Sequence, residues 1–106
     1  MNQIGIDIIG EINLLKGSNR NNPLIKEWWG IANLKGETRL DSYYIYLPDQ
    51  YELNFGQTAK AEFKYKFSSD EKFKIKLEIG QIIELNEGSN KIGEFIIQKI
   101  VNENLK

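Results

Sequence analysis

Two runs decide the fold: Thr58-Ala59-Lys60-Ala61-Glu62-Phe63-Lys64-Tyr65-Lys66-Phe67 and Phe73-Lys74-Ile75-Lys76-Leu77-Glu78-Ile79. Both alternate apolar with charged side chains. Because successive side chains of a strand point to opposite faces, each run predicts a half-buried strand. The short polar turn between the two runs predicts that they form an antiparallel hairpin.

The rest of the chain extends the same pattern in both directions. Apolar residues at alternate positions predict a strand over Ile4–Leu15, and Gly10 inside it predicts a bend or bulge. A polar stretch rich in Asn, Gly and Ser predicts a loop that ends at Pro23. Further strands are predicted at Trp28–Leu34, Arg39–Leu47, Gln81–Asn86 and Lys91–Val101. Turn signals recur about every ten residues, so we expect one all-β domain over residues 1–106, a sandwich or a barrel.

Composition excludes several classes of chemistry. The chain of 106 residues has no Cys and no His, which excludes disulfides, thiol nucleophiles, zinc fingers and imidazole-based triads. Its 14 basic and 15 acidic residues leave a net charge of −1, so no strong attraction to bulk nucleic acid or to anionic membranes is expected. No signal peptide and no membrane span are visible in the sequence, which makes the cytoplasm the expected compartment.

The C-terminal half carries a family resemblance. The residues are an alternating strand that ends at Gly80, then Leu85-Asn86-Glu87-Gly88, a turn, and Ile92-Gly93. In this order they resemble the C-terminal, third β-barrel of translation elongation factor Tu. The N-terminal half matches in the right order, with Gly10-Glu11-Ile12 at the entering strand, Arg20-Asn21-Asn22-Pro23 at a loop and Leu47-Pro48 at a turn. The resemblance spans roughly the whole chain and implies a small closed antiparallel barrel with Greek-key-like connections.

The departures from that family limit what the resemblance implies. The chain lacks the phosphate-binding loop of a nucleotide-binding domain, so no GTP hydrolysis is expected. In the family, the glycine-rich turn and nearby cations help to hold aminoacyl-tRNA. Here Asn86 and Asn90 stand where the family carries arginines, and phosphate contacts depend chiefly on Lys and Arg. The resemblance therefore implies a detached barrel rather than a working elongation factor.

Aromatic residues form the first candidate site. Trp28-Trp29 and Tyr43-Tyr44-Ile45-Tyr46 are clustered on two predicted strands. Adjacent residues of a strand face opposite sides, so one member of each pair is expected outside the core. Exposed Trp and Tyr anchor protein interfaces or stack on bases. The alternative is that they close the end of the barrel or cover a groove.

Lysines form the second candidate site. Lys60, Lys64, Lys66, Lys72, Lys74 and Lys76 would share one face of the predicted hairpin. This face would contact an RNA backbone or an acidic protein. The candidate RNA contacts are Lys64, Lys66, Lys74 and Lys76, together with Asn90 and Lys91 of the Glu87–Lys91 turn. The alternative is an ordinary solvated face, because Glu62, Glu71 and Glu78 are interleaved with the lysines.

Acidic residues carry no catalytic pattern. The sequence places Asp7, Glu11, Glu27, Glu37 and Asp41 at no spacing that fixes two of them on one rigid element, so they are expected at the solvated surface. We expect no metal, no cofactor and no enzymatic activity. The predicted function is protein recognition by a non-catalytic module, such as an elongation-factor-like decoy, a regulator or an immunity-type protein. The alternative is weak binding of tRNA or another RNA.

Overall fold

The computed structural model describes residues 5–15 and 24–106. The predicted loop with Arg20 and Pro23 lies outside the described residues, as does the first residue of the predicted strand at Ile4. The described residues form eight strands: β1 Ile8–Leu14, β2 Leu24–Ile25, β3 Glu27–Leu34, β4 Asp41–Tyr46, β5 Glu52–Leu53, β6 Thr58–Tyr65, β7 Ile82–Glu87 and β8 Asn90–Ile100. The helical content of the described ranges is one 3₁₀ turn, Glu103–Leu105.

Six of the strands close into an antiparallel barrel. Their order around the barrel is β1-β6-β4-β3-β7-β8, and β8 pairs again with β1. The short strands β2 and β5 pair with each other outside this cylinder. The prediction of an all-β, closed antiparallel barrel is therefore confirmed. Within the described part of the chain, no helix is long and apolar enough to cross a membrane.

The predicted glycine of β1 lies beside a β-bulge. The register between β1 and β8 shifts between Ile9 and Gly10, and the extra residue of the bulge, Gln98, belongs to β8. A Cβ at Gly10 would overlap the carbonyl oxygen of Ile96 and come within 2.8 Å of the Phe95 ring. Only glycine lets β1 pass this close to β8 while β1 also pairs with β6.

Aromatic rings fill the centre of the barrel. Phe63 stacks on Tyr43 with ring centroids 5.1 Å apart, and it also contacts Tyr65 at 4.9 Å and Phe95 at 5.2 Å. All four side chains are buried and come from β4, β6 and β8. Burial, with the nearby Asp41 charge as the second cause, raises the pKa of the Tyr65 hydroxyl. Through Phe63, these contacts join β6 to the adjacent β4 and, across the interior, to β8 on the far side of β1.

The predicted hairpin between the two alternating runs does not form. Strand β6 pairs with β1 and β4, so neither of its edges is available to residues 73–79. Residues 73–78 belong to no strand, although their burial still alternates, with Phe73, Ile75 and Leu77 turned inward. The hairpin prediction was wrong because the alternation reports which side chains are buried and contains no information about the pairing partner.

Asp7 is a second correction. We expected it at the surface, but it is only 2% exposed. Its carboxylate accepts hydrogen bonds from the Tyr65 backbone N–H at 2.8 Å and from the Asn102 Nδ2 at 2.9 Å. Its backbone oxygen accepts from the N–H groups of Val101 and Asn102. Asp7 thus joins the end of β6 to the chain that follows β8, and these partners compensate the burial of its polar atoms.

Candidate functional site

An exposed aromatic surface lies on the outside of β3 and β4. Trp29 is 67% exposed and lies directly opposite the half-buried Tyr44 in the antiparallel register. Ile31, two residues further along β3, is 37% exposed, and Tyr46 is the next outward residue of β4. We call the outward side chains of Trp29, Ile31, Tyr44 and Tyr46 the aromatic face. Trp29 and Tyr44 are direct cross-strand neighbours, which lie about 5 Å apart, and Ile31 and Tyr46 are the next outward residues of their own strands.

The other two aromatic candidates point into the barrel. Tyr43 is fully buried against Phe63, and the partly buried Trp28 packs edge-on against Tyr43 with ring centroids 5.4 Å apart. Strand geometry separates each pair, as the sequence predicted: Trp29 and Tyr44 are outside, and Trp28 and Tyr43 are inside. Tyr43 and Trp28 therefore support the aromatic face from below and do not belong to a contact surface.

Charged residues border the aromatic face. Lys64 on β6 lies opposite Tyr44, so Trp29, Tyr44 and Lys64 form one row across three strands. In the next row, Tyr46 lies between Glu27 and Glu62. The Lys26 Nζ sits 4.8 Å from the centre of the Tyr46 ring and donates to the Leu47 carbonyl at 3.0 Å. An apolar centre with a polar, mixed-charge rim is the usual composition of a protein interface.

The candidate lysines are divided between two elements. Lys64 is on β6, where its Nζ donates to the Ser68 Oγ at 3.0 Å. Lys66 lies just beyond β6 and its Nζ is 5.4 Å from the Phe67 ring centre. Lys74 and Lys76 are exposed on the segment that pairs with no strand. Because the hairpin is absent, its register does not align these side chains as one basic row.

The β7–β8 turn holds the remaining candidates. Glu87 precedes Gly88, whose φ of 62° is accessible to glycine at little steric cost. Gly93 on β8 lies so close to β1 that an added Cβ would be 2.8 Å from the Asn13 oxygen. Gly80 lies at the turn before β7, where its N–H donates to the Ile97 carbonyl at 2.8 Å. These residues shape the barrel, whereas Asn90, the first residue of β8, is exposed.

Lys91 is engaged by carboxylates. Its Nζ lies 2.8 Å from the Glu84 Oε2 and 2.7 Å from the Glu94 Oε2. Asn33 Nδ2 donates to the other Glu84 oxygen at 3.0 Å, and Asn86 Nδ2 donates to Asn33 Oδ1 at 2.8 Å. The hydrogen bond from Lys91, followed by that from Asn33, lowers the pKa of Glu84, and the two carboxylates raise the pKa of Lys91. A phosphate would have to compete with both carboxylates for this ammonium group.

Sequence reasoning did not find this polar network or the buried role of Asp7. Glu84, Lys91 and Glu94 do occupy outward positions of predicted strands, but only the β7–β8 register brings Glu84 opposite Glu94. The other carboxylates that we considered lie apart in the fold: Glu11 on β1, Glu27 on β3, and Glu37 and Asp41 near β4. Across residues 5–15 and 24–106, no three His, Cys, Asp or Glu side chains are arranged to hold a metal ion.

Two comparisons with known proteins bear on the family of this chain. No protein-family model matches the sequence, and a search of curated proteins finds no significant match. The findings thus establish the architecture, a small six-stranded closed antiparallel β-barrel, and no family.

Proposed function

We propose that this barrel is a non-catalytic recognition module that binds a protein partner through the aromatic face. The observation that carries the proposal is Trp29, which exposes 67% of its surface in the same row as Tyr44. Trp and Tyr are enriched among the residues that dominate protein interfaces, because they bury a large area with few rotatable bonds. The absence of His and Cys from the sequence supports a binding role over acid–base or thiol catalysis.

The position of the aromatic face supports the same proposal. Its residues belong to two paired strands of a closed barrel, and Trp28 and Tyr43 pack directly beneath them. A partner would therefore meet a surface whose backbone is already ordered, which reduces the entropy lost on binding. The charges of Glu27, Glu62 and Lys64 at the border would affect the orientation and the association rate of the partner more than its affinity.

The experiment is affinity capture from the native cell with Trp29→Ala and Tyr44→Ala variants. Each substitution is expected to abolish recovery of the partner without loss of the folded barrel, as checked by thermal unfolding. Tyr51→Ala is the matched control, because Tyr51 is 71% exposed and lies outside β3 and β4. The proposal fails if the control variant loses the partner to the same extent, or if the two face variants retain it.

We also propose that the barrel is a detached relative of the third barrel of elongation factor Tu. The closed antiparallel architecture, the Glu87-Gly88 turn between β7 and β8, and the close approach at Gly93 all support this relationship. Such a module would act in the cytoplasm as a decoy, a regulator or an immunity-type protein. An experimental structure compared strand by strand with that barrel tests the relationship, and different connections between the strands would contradict it.

Weak RNA binding is the second candidate function. One observation favours it: the row of Trp29, Tyr44 and Lys64 combines rings that stack on bases with a cation that meets a phosphate. Glu27 and Glu62 in the next row, and the engagement of Lys91, act against it. RNA binding predicts an affinity for tRNA that falls steeply with salt and falls further in Lys64→Glu. If tRNA affinity is negligible while Trp29→Ala abolishes protein capture, protein recognition is supported.

A further inference from the structure

A groove of about 900 Å³ lies beside the segment that the barrel leaves unpaired. Its lining includes the consecutive residues 73–76, together with Asn102 and Leu105 near the C-terminal 3₁₀ turn. Asp70 and Glu71 line the end of the groove at the preceding turn. The alternating burial of residues 73–78 shows that adjacent side chains point to opposite sides. Four consecutive residues can then line one groove only if the edge of their backbone faces it.

Hydrogen bonds at either end fix the direction of this backbone edge. The Leu77 N–H donates at 2.6 Å to the carbonyl of Leu105, which also lines the groove. The Lys74 carbonyl accepts from the Arg39 guanidinium on the opposite edge. In an extended chain the N–H and C=O groups of every second residue point the same way, so those of Ile75 face the groove with those of Leu77. Among the described residues, no hydrogen bond involves the Ile75 backbone.

Side chains around this edge define the chemistry of an added strand. Phe73 and Ile75 are half-buried and offer apolar contact on the inner side. Lys72, Lys74 and Lys76 are all exposed on the outer side. A strand placed beside residues 73–77 would set its own outward residues next to Lys74 and Lys76, where carboxylates are complementary. Asp70 and Glu71, which also line the groove, would repel any additional acidic residues of the added strand near them.

We propose that this groove binds an extended acidic peptide segment, which adds as a short β-strand to the backbone edge at Ile75. The N–H groups of Phe73 and Leu77 on either side already donate to backbone carbonyls. The backbone of the segment would pair with Ile75, its two acidic residues would face Lys74 and Lys76, and its alternate apolar residues would cover Phe73 and Ile75. Main-chain hydrogen bonds supply affinity and the alternate side chains supply specificity in this mode of recognition. The groove is separate from the aromatic face, so this inference is independent of the proposed function.

The test is a titration of the ¹⁵N-labelled full chain with the peptide acetyl-Ser-Val-Glu-Ile-Glu-Val-Ser-amide, followed by NMR. We expect saturable shifts of the Phe73, Ile75 and Leu105 amides and none at Trp29. Lys74→Glu combined with Lys76→Glu should weaken binding about tenfold or more, because two attractive pairs become repulsive. Lys60→Glu combined with Lys99→Glu is the control with equal charge, since both lysines are exposed on barrel strands, and it should change affinity by less than about twofold.

Peptide variants separate strand addition from simple charge attraction. Methylating the backbone nitrogens of the Val and Ile residues, or those of the two Glu residues, blocks one edge of the peptide at a time. Strand addition requires one of these peptides to lose binding and the other to keep it, because only one peptide edge meets residues 73–77. A peptide with Lys in place of Glu should not bind.

Several results would overturn the proposal. They are the absence of shifts at millimolar peptide, equal binding by both methylated peptides, and equal weakening by the control lysine pair. Shifts of the Phe73–Leu77 amides by an RNA oligonucleotide but not by the peptide would also overturn it. Because the readout is confined to the groove, any of these results leaves the test of the Trp29 surface unaffected.

Discussion

Strand β6 and the segment Phe73–Glu78 have the same alternation of apolar and charged side chains, yet only β6 is a paired strand of the barrel. β6 pairs along both edges, and its inward rings lie at the centre of the barrel. Residues 73–78 bury Phe73, Ile75 and Leu77 only against one side of the molecule and hold few backbone hydrogen bonds. The difference shows that alternation of apolar side chains is enough to bury one face of a segment, whereas pairing of its backbone also requires a free neighbouring strand edge.

Closure of the cylinder explains the difference. A barrel strand needs two neighbours, and six strands satisfy this requirement once β8 has paired with β1. Residues 73–78 therefore cover the outside of the core without a vacant edge to join. These residues keep a strand-like edge at the surface, and that edge lines the groove for which we propose an acidic peptide.

Hydrogen exchange should show the largest contrast between the two segments. Amides of β6 are expected to exchange only through global unfolding, whereas the Ile75 amide should exchange near its intrinsic rate, at least about a thousandfold faster. The measurement is native-state exchange followed by NMR. A protected Ile75 amide in the isolated chain would mean that its N–H has a partner, and the groove would then have no open edge.

Matched Phe→Ala substitutions should show the next largest contrast. Phe63→Ala removes a fully buried ring that contacts three other rings, and it should lower the free energy of unfolding by about 3–5 kcal/mol. Phe73→Ala removes a half-buried ring 5.3 Å from Tyr65, and it should cost about 1–2 kcal/mol. Urea unfolding measures both values. Equal losses would contradict the conclusion that residues 73–78 are peripheral to the core.

Asp7 links the end of β6 to the chain that follows β8, where Asn102 also lines the groove beside residues 73–76. Asp7→Ala leaves the Tyr65 N–H and the Asn102 amide without their acceptor in a buried site, so we expect a loss of about 2–3 kcal/mol. Glu11→Ala is the control, because this carboxylate lies on the outward side of β1 and should change stability by no more than about 0.5 kcal/mol. Equal effects in urea unfolding would show that the Asp7 carboxylate is solvated as the sequence suggested.

The smallest effect is expected at the Glu84–Lys91 pair, and it depends on pH. The folded state lowers the pKa of Glu84, so its carboxylate stabilises the fold above its unfolded pKa and loses that contribution as the pH falls through the folded value. Glu84→Gln should cost less than about 1 kcal/mol at pH 7, because the pair is partly exposed, and nothing at low pH. Unfolding curves across this range test the sign. Glu103→Gln is the control at an exposed carboxylate.

Local patterns predicted the aromatic face better than the lysine surface. Trp29 and Tyr44 lie on strands whose alternation is regular, so strand geometry requires one exposed member in each adjacent pair, and the structure shows which member it is. The lysine surface depended on which segments pair, and that is a property of the whole barrel. Asp7 was misassigned for a related reason, since its partners Tyr65 and Asn102 lie 58 and 95 residues away in the chain.

By itself, the sequence determined the strand class, the inward and outward sides of β1 and β6, and the turn at Gly88. These are local consequences of side-chain alternation and of the space that glycine leaves. Only the tertiary structure decided that six strands close the cylinder, that residues 73–78 stay outside it and that Lys91 meets two carboxylates. Those outcomes depend on which distant backbones compete for the same edges, and no local pattern encodes that competition.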